Sequence, residues 1–258
     1  MQYAGDMAAI QQRLAQCSDM VARRIAVLDA LQAVPGWHVM EIGCGGGFYT
    51  REIGLAVGEA GTATGVDISE DQISAARERN RDVENVSVRV GDVRKLDAPD
   101  GHFDAVVSVQ VLEYVDDLSA ALGEMHRVLK VGGRFVNLAT NWHSVFWSGT
   151  DADLTSRVLS AWDAHAVLPN LPVILPGDLL GAGFGNVHQS GAPVINSAYH
   201  PNTFSYWLAK LIVPFVVGKG LIPEHDGNRW LGSLDEAQAD GTYFFSSVPI
   251  ITSATRTG

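Results

Sequence analysis

Short apolar segments rich in β-branched residues alternate with segments of helical periodicity between residues 37 and 140. Strands that are apolar on both faces are typical of a parallel sheet covered by helices on both sides. The order therefore predicts a doubly wound α/β domain whose first crossover is right-handed. The strand segments are WHVMEI, TATGVD, VSVRV, FDAVVSV and GRFVNLA, and helical segments cover 48–58, 70–81 and 117–129.

The flanking regions have other patterns. Residues 6–33 have helical periodicity, which Pro35-Gly36 ends. After Thr140 the alternation of strand-like and helix-like segments becomes less regular. Residues 196–240 are expected to form a helical insertion before the last strand. Three further segments are a helix at 151–165, a proline-broken connection at LPNLPVILP, and a short helix, glycine stop and strand within PGDLLGAGFGNVHQSG. The terminal GTYFFSSVPIITSATR predicts a last strand or hairpin.

Composition excludes several classes of protein. The net charge of -11 over 258 residues argues against a nucleic-acid-binding face. The two cysteines, Cys17 and Cys44, have no CxxC spacing, so we expect no disulfide framework, no metal site and a cytoplasmic location. The amino terminus lacks the pattern of a signal peptide. Lys210, Pro214 and Lys219 interrupt FSYWLAKLIVPFVVGKGLI, which favours a buried or lid helix over stable membrane insertion.

The segment MEIGCGGGFYT joins the first predicted strand to the first predicted helix and carries four glycines within five positions. Turns at this edge of a parallel sheet are where open α/β folds bind ligands. Glycine permits a positive φ and removes the Cβ that would block a ligand. The N–H groups that open the next helix favour an anion, either a phosphate or a carboxylate.

Two phosphate-binding fingerprints do not fit this turn. A dinucleotide fingerprint needs glycines at offsets of 0, 2 and 5, and its third position is Phe48 or Thr50 here, depending on the starting glycine. A Walker-type loop is excluded because no Gly-Lys-Ser/Thr follows. The pattern Glu-x-Gly-x-Gly-Gly-Gly is therefore a different signature.

Five segments in this order resemble the motifs of S-adenosylmethionine-dependent methyltransferases with the Rossmann-like, seven-stranded class I fold. The resemblance is to the small-molecule group that includes ubiquinone and menaquinone biosynthesis enzymes. It covers residues 37–140 and extends more weakly to the terminal YFFSSVPIITSATR. The segments are VMEIGCGGGFYT, TGVDIS, VGDVRKL, FDAVVSVQVLEYVDD and ALGEMHRVLKVGGRFVNLA.

The resemblance implies a cofactor site. It assigns Asp67 to both ribose hydroxyls, a task suited to a carboxylate, which only accepts hydrogen bonds. Ile68 would pack on the adenine face, Asp92 would bind the adenine amino group, and the Val93 N–H would bind a ring nitrogen. Residues placed around the methionine end are Glu41, Gly43, Gly45, Gly47, Val109 and Gln110.

Two positions depart from the family pattern. Many relatives have Leu-Glu-His where this chain has Leu112-Glu113-Tyr114, so a role for that histidine does not carry over. Val131 replaces the proline that is usual in the turn before the fifth strand, a change that we expect the turn to tolerate.

Candidates on the substrate side lie beyond the fifth strand. His143 is the candidate for a general base or for a group that orients the acceptor, with a surface or core histidine as the alternative. Trp142, Phe146 and Trp147 are candidates for a pocket wall or for ordinary packing. Lid aromatics or scaffold residues are Tyr199, His200, Tyr206 and Trp207, and Tyr3 is a weaker candidate to cap the cofactor.

The sequence thus predicts a single domain over 1–258 that transfers a methyl group from S-adenosylmethionine to an oxygen, carbon or nitrogen of a small, largely apolar molecule, leaving S-adenosylhomocysteine. Alternatives are a protein that binds this cofactor for cyclisation or for binding alone, and an NAD-dependent oxidoreductase. The oligomeric state is open between monomer and homodimer. The expected segments are 1–36 (helical), 37–140 (cofactor core), 141–240 (substrate side with a helical lid) and 241–258 (terminal strand).

Overall fold

The chain folds as two compact units in a computed structural model that describes residue 10 and residues 13–148 and 151–258. The sheet unit comprises Arg24–Thr140, Asn170–Gly191 and Ile250–Gly258. The helical unit comprises the described residues up to Arg23, together with Asn141–Pro169 and Ala192–Pro249.

Strands and helices alternate through the sheet unit as the sequence predicts. The elements of both units are numbered together, in chain order. The strands are β1 His38–Ile42, β2 Thr62–Asp67, β3 Val86–Val90, β4 Phe103–Val109, β5 Leu129–Thr140, β6 Phe146–Ser148, β7 Phe184–Gly191, β8 Val194–Asn196, β9 Phe244–Ser247 and β10 Pro249–Arg256. The helices are α1 Ser18–Leu31, α2 Phe48–Val57, α3 Glu70–Asn80, α4 Leu118–Val128, α5 Ala152–Trp162, α6 Leu171–Gly181, α7 Phe204–Gly218 and α8 Glu224–Ala239. Single 3₁₀ turns lie at Leu112–Tyr114, Trp142–Ser144 and Asp163–His165.

Seven strands form the main sheet in the order β3-β2-β1-β4-β5-β10-β7. Strands β1 to β5 pair in parallel, whereas β10 runs antiparallel to β7. Glu41 of β1 lies in register with Gly65 of β2 and with Val107 of β4, so the carboxyl ends of these strands meet at one edge. The mostly parallel, seven-stranded α/β fold is confirmed, and the insertion of β10 between β5 and β7 departs from the strand order of dinucleotide-binding domains.

Side-chain caps fix where the helices around the sheet begin. Ser69 accepts a hydrogen bond from the Gln72 N–H at the start of α3. Asp117 accepts from the Ala120 N–H at 2.9 Å at the start of α4. These caps satisfy N–H groups that have no partner within the helix.

Aromatic and aliphatic side chains fill the core of the helical unit. Helices α5, α7 and α8 pack on one another around Trp230, which is fully buried. The small antiparallel sheet β6-β9-β8 contributes Trp147 and Phe245 to the same cluster. Helices α7 and α8 confirm the expected helical insertion, whereas the small sheet was not predicted. No helix in the described part of the chain is long and apolar enough to span a bilayer.

The segment LPNLPVILP is helical from Leu171 onwards, so the expectation of a proline-broken connection was wrong. Pro172 lies in the first turn of α6, where a missing N–H costs no hydrogen bond. Pro176 lies inside the helix and cannot donate to the Pro172 carbonyl. That carbonyl accepts from Gln189 Nε2 on β7 at 2.8 Å instead, so a long-range contact compensates for the proline.

The terminal segment does not form a hairpin. Strand β9 pairs with β6 and β8 in the small sheet, whereas β10 enters the main sheet beside β7. Only β10 therefore serves as the last strand of the main sheet.

Candidate functional site

The turn after β1 bends sharply because three of its glycines have positive φ. Gly43, Gly45 and Gly47 have φ values of +66°, +49° and +75°. A Cβ at Gly43 would lie 2.1 Å from Val111 Cγ2, and one at Gly47 would lie 2.5 Å from Asn80 Nδ2. At Gly45 the nearest atom would be 3.8 Å away, so that position is open as well as left-handed. The turn thus combines close packing at two glycines with free space at the third.

Asp67 ends β2 and ties this turn to the neighbouring strand. Its Oδ2 accepts a hydrogen bond from the Gly45 N–H at 2.9 Å, and its Oδ1 accepts from the Ser69 N–H at 2.9 Å. A carboxylate has about four acceptor positions, so two remain for a ligand. Ile68 follows with 71% of its side chain exposed, which provides an apolar surface next to the carboxylate. Free acceptor positions on Asp67 thus lie beside the exposed apolar side chain of Ile68.

Glu41 is buried at the end of β1, where it accepts a hydrogen bond from the Thr50 hydroxyl on α2. Burial, together with the charges of Asp67 and Glu52, raises the pKa of this carboxyl to about 8, although the hydrogen bonds from Thr50 act to lower it. Burial likewise raises the pKa of the Cys44 thiol within the turn. Near neutral pH Glu41 is therefore mostly protonated, and Cys44 is an unreactive thiol.

Asp92 is held by a neighbouring arginine. Arg94 donates to it from Nη2 at 2.7 Å and from Nε at 3.1 Å, and Arg94 Nη1 also contacts Asp116 Oδ1 at 2.7 Å. The hydrogen bonds from Arg94 lower the pKa of the Asp92 carboxyl. A ligand amino group at Asp92 would share the carboxylate with Arg94. Val93 lies between the two residues and is half-buried.

The end of β4 has an unusual backbone conformation. Gln110 has a φ of +55°, and its N–H donates to the Leu138 carbonyl on β5 at 2.8 Å. Gln110 Nε2 lies 3.2 Å from the hydroxyl of Thr140, the buried last residue of β5. A left-handed backbone at a non-glycine residue is strained, and it persists only where surrounding contacts hold it. Such residues cluster at functional sites. Val109, which precedes Gln110, is half-buried.

The substrate-side candidates all lie in the helical unit. Trp142, Trp147 and Tyr199 are buried there, Tyr206 is half-buried and Phe146 is 53% exposed. Trp147 Nε1 donates to the Tyr243 hydroxyl at 2.9 Å, and its ring lies 4.5 Å from that of Phe245. These contacts make Trp147 part of the core of this unit. Tyr3 lies outside the described residues.

His143 is paired with an aspartate that the sequence did not single out. His143 Nε2 lies 3.3 Å from Asp163 Oδ2, and both side chains are partly exposed. Partial burial raises the pKa of the Asp163 carboxyl, and the neighbouring imidazole opposes that shift. The two residues follow Trp142 and Trp162, whose rings pack edge to face at 5.9 Å. Packing beneath thus holds the pair together.

Several partners of the site residues were missed because they depend on tertiary packing. These partners include Thr50, Asp163 and Arg94. Of the three, only Arg94 left a signal in the sequence, since it follows Asp92 by two residues within the segment VGDVRKL. Asn80 and Arg79 on α3 contact the glycine turn and have no signature of their own.

We expect Glu41→Gln to remove a pH dependence of stability. The folded-state pKa of Glu41 is about 8 against 4.5 in the unfolded chain, so the folded state holds a proton that the unfolded state releases. Between about pH 4.5 and 8 the wild type should lose up to about 1.4 kcal/mol of unfolding free energy per pH unit relative to the variant. Urea denaturation at pH 5 and pH 8 measures this difference. Parallel curves for the two proteins would contradict a buried, protonated Glu41.

Comparisons with known proteins find similarity over the part of the chain that contains the glycine turn and Asp67. Residues 40–137 match a family model described as a methyltransferase domain. The demethylmenaquinone methyltransferase of Staphylococcus aureus is 39% identical over 118 residues, which cover 46% of this chain and 49% of that protein. This chain spans at most about half the length of the curated relatives that it matches.

Solved structures show the same fold. Phosphoethanolamine N-methyltransferase 2 of Haemonchus contortus, in complex with S-adenosyl-L-methionine, superposes with a TM-score of 0.65 at 16% identity, covering 100% of this chain and 58% of that one. The [4+2]-cyclase SpnF superposes with a TM-score of 0.60 at 19% identity, covering 93% and 81%. Residues 40–137 thus match a methyltransferase domain, and the strand order and the superpositions show the seven-stranded, Rossmann-like fold.

Proposed function

We propose that this chain is an S-adenosylmethionine-dependent methyltransferase that acts on a small, largely apolar molecule. The observation that carries the proposal is the Asp67 carboxylate, which binds the Gly45 N–H of the glycine turn and keeps further acceptor positions. One group thereby adjoins both the turn suited to an amino-acid tail and the position suited to a sugar.

The residues of the sheet unit fit this cofactor. The turn at 43–47 opens α2, whose first N–H groups lack helical partners and favour the carboxylate of the amino-acid tail. Asp67 accepts from the ribose hydroxyls, and the exposed Ile68 packs on adenine. Asp92 accepts from the adenine amino group while Arg94 keeps its carboxylate ionised. Val93 supplies the adjacent N–H.

At the methionine end the candidates are Glu41, Val109 and Gln110. Glu41 is mostly protonated near neutral pH, so it offers a hydrogen-bond donor there and adds little negative charge beside the tail carboxylate. Gln110 presents its backbone in the left-handed conformation that Thr140 and Leu138 hold. When bound, S-adenosylmethionine supplies a methyl group on a sulfonium that is already a good leaving group. The protein then mainly has to position the acceptor and exclude water.

The segment 141–240 supplies the acceptor side in this proposal. Its candidate residues include large aromatic rings, among them Trp142, Phe146 and Tyr206, which suit an apolar acceptor. The S. aureus relative is named for demethylmenaquinone, an acceptor of the same apolar character. A net charge of -11 disfavours a polyanionic acceptor such as nucleic acid.

His143 is our candidate for the general base. With Asp163 accepting from Nε2–H, the imidazole lone pair lies on Nδ1, which is the atom that would take a proton from an acceptor hydroxyl. Asp163 also stabilises the imidazolium that this transfer produces. A base of this kind is required only where the acceptor atom has a proton to lose.

A second function keeps the fold without methyl transfer. The cyclase SpnF has the same fold, so the fold alone does not specify transfer of a methyl group. Incubation with cofactor labelled on its methyl group, together with a panel of hydroquinones, phenols and amines, decides between the two functions. We expect label in a small apolar acceptor and stoichiometric S-adenosylhomocysteine. Binding of the cofactor with no label in any acceptor would favour the alternative.

Changing Asp67 to alanine should weaken cofactor binding. Loss of charge-assisted hydrogen bonds costs roughly 1.5–3 kcal/mol, which isothermal titration calorimetry with S-adenosylhomocysteine measures directly. Asp71→Ala is the matched control, since Asp71 is an exposed aspartate in the first turn of α3. Equal affinities for the wild type and Asp67→Ala would remove Asp67 from the cofactor site.

Changing His143 to glutamine should lower kcat by about 10²-fold or more while cofactor affinity stays the same. The acceptor labelled in the transfer assay serves as substrate, and the acid limb of the pH–rate profile should disappear. Asp163→Asn should lower kcat less, because it keeps the imidazole in place but removes the carboxylate. His188→Gln, an exposed histidine on β7, is the control. An unchanged pH profile in His143→Gln would exclude a base role.

A further inference from the structure

Helix α3 contacts the glycine turn through two consecutive residues. Arg79 Nε donates to the Gly46 carbonyl at 2.7 Å, and Asn80 Nδ2 donates to the Gly47 carbonyl at 3.2 Å. Asn80 also donates to the Ala76 carbonyl at 2.7 Å, which anchors its amide to α3 itself. Neighbouring carbonyls of the turn are thus fixed by neighbouring side chains of another helix.

The Arg79 guanidinium also stacks on the first residue of α2. Its central carbon lies 3.6 Å from the centroid of the Phe48 ring. This is the position where a dinucleotide fingerprint would have its third glycine, so the ring that replaces the glycine gives Arg79 a surface to rest on. Arg24 approaches the same ring at 5.4 Å.

Charge pairing does not account for the position of Arg79. Arg24 pairs with Glu52 and Arg51 pairs with Asp82, whereas no carboxylate lies within ion-pair distance of Arg79 among the described residues. Burial and the nearby Arg24 and Arg51 lower the pKa of Arg79, so its place is electrostatically unfavourable. The contacts that hold it there are the carbonyl and the ring, which suit a planar guanidinium and not an ammonium.

These contacts set the orientation of two successive peptide groups of the turn. In a trans peptide the C=O of one residue and the N–H of the next point in opposite directions. Fixing the Gly46 carbonyl through Arg79 therefore fixes the Gly47 N–H, which donates to the Cys44 carbonyl at 2.9 Å and closes the turn. Fixing the Gly47 carbonyl through Asn80 fixes the Phe48 N–H, the first N–H of α2. Because Gly46 and Gly47 lack side chains, the turn has no rotamers of its own to hold this shape.

We propose that Arg79, through its contacts with Gly46 and Phe48, is the positioning residue that keeps the glycine turn in the shape that receives the amino-acid tail of the cofactor. The inference rests on the proposed function. It assigns Arg79 no contact with the cofactor, and it makes the affinity for the tail depend on a residue of α3, the helix that follows the ribose-binding strand.

Two ligands separate this role from a general structural one. S-adenosylhomocysteine carries the amino-acid tail, whereas 5′-methylthioadenosine has the same nucleoside and lacks the tail. Arg79→Ala should lower the affinity for S-adenosylhomocysteine roughly tenfold and that for methylthioadenosine less than about twofold, as measured by calorimetry. Asp67→Ala should weaken both ligands, because the ribose is common to them.

Matched variants complete the test. Arg77→Ala, two residues earlier on α3 and exposed, should leave both affinities unchanged. Arg79→Lys keeps the charge but not the planar group, so it should recover only a small part of the loss. If Arg79→Ala does not fold, Phe48→Leu removes the stacking surface and should show the same ligand preference in weaker form.

The outcomes are distinct. Equal loss for both ligands, or no loss for either, would overturn the role of Arg79 while leaving the cofactor site intact. Failure of the wild type to bind either ligand would instead overturn the proposed function. A selective loss for the ligand that has the tail supports both.

Discussion

The Asp67 carboxylate is the interaction on which the site depends. Asp67 accepts a hydrogen bond from the Gly45 N–H, which holds the turn after β1. It also accepts one from the Ser69 N–H, at the start of the connection from β2 to α3. Parallel pairing of β1 and β2 brings the two strand ends side by side, so a single carboxylate can reach both. In the proposed function the same group binds the ribose, which couples the shape of the turn to recognition of the sugar.

Local patterns were enough to predict the five parallel strands along the chain. The predicted strands at 86–90 and 103–109 are β3 and β4 without change. The mostly buried β4 is specified by its own apolar residues, and β3, which is half-buried or exposed along its length, by the alternation of valines with polar residues. Long-range compensation was not predictable. Helix α6 tolerates Pro176 because Gln189 satisfies the Pro172 carbonyl, and no local pattern encodes that bond. Strands β6, β8 and β9 have three or four residues each, too few for a periodic signal.

For the site, the sequence specified the backbone but not the partners of its side chains. The glycines of the turn were predictable because their positions between a strand and a helix require positive φ. The pairing of Asp92 with Arg94 and the support of Gly46 by Arg79 depend on packing between elements. Such contacts determine the protonation of the Asp92 carboxyl and the rigidity of the glycine turn. They therefore decide how well a site works, while the motif decides only where it lies.

The family match covers part of the sheet unit and none of the helical unit. The family match ends at residue 137, three residues before the last residue of β5, and the helical unit resumes at Asn141. The fold is shared with solved structures at 16–19% identity. His143 and Asp163 lie beyond the family match, so the acceptor has to be inferred from the chemistry of this chain's own residues.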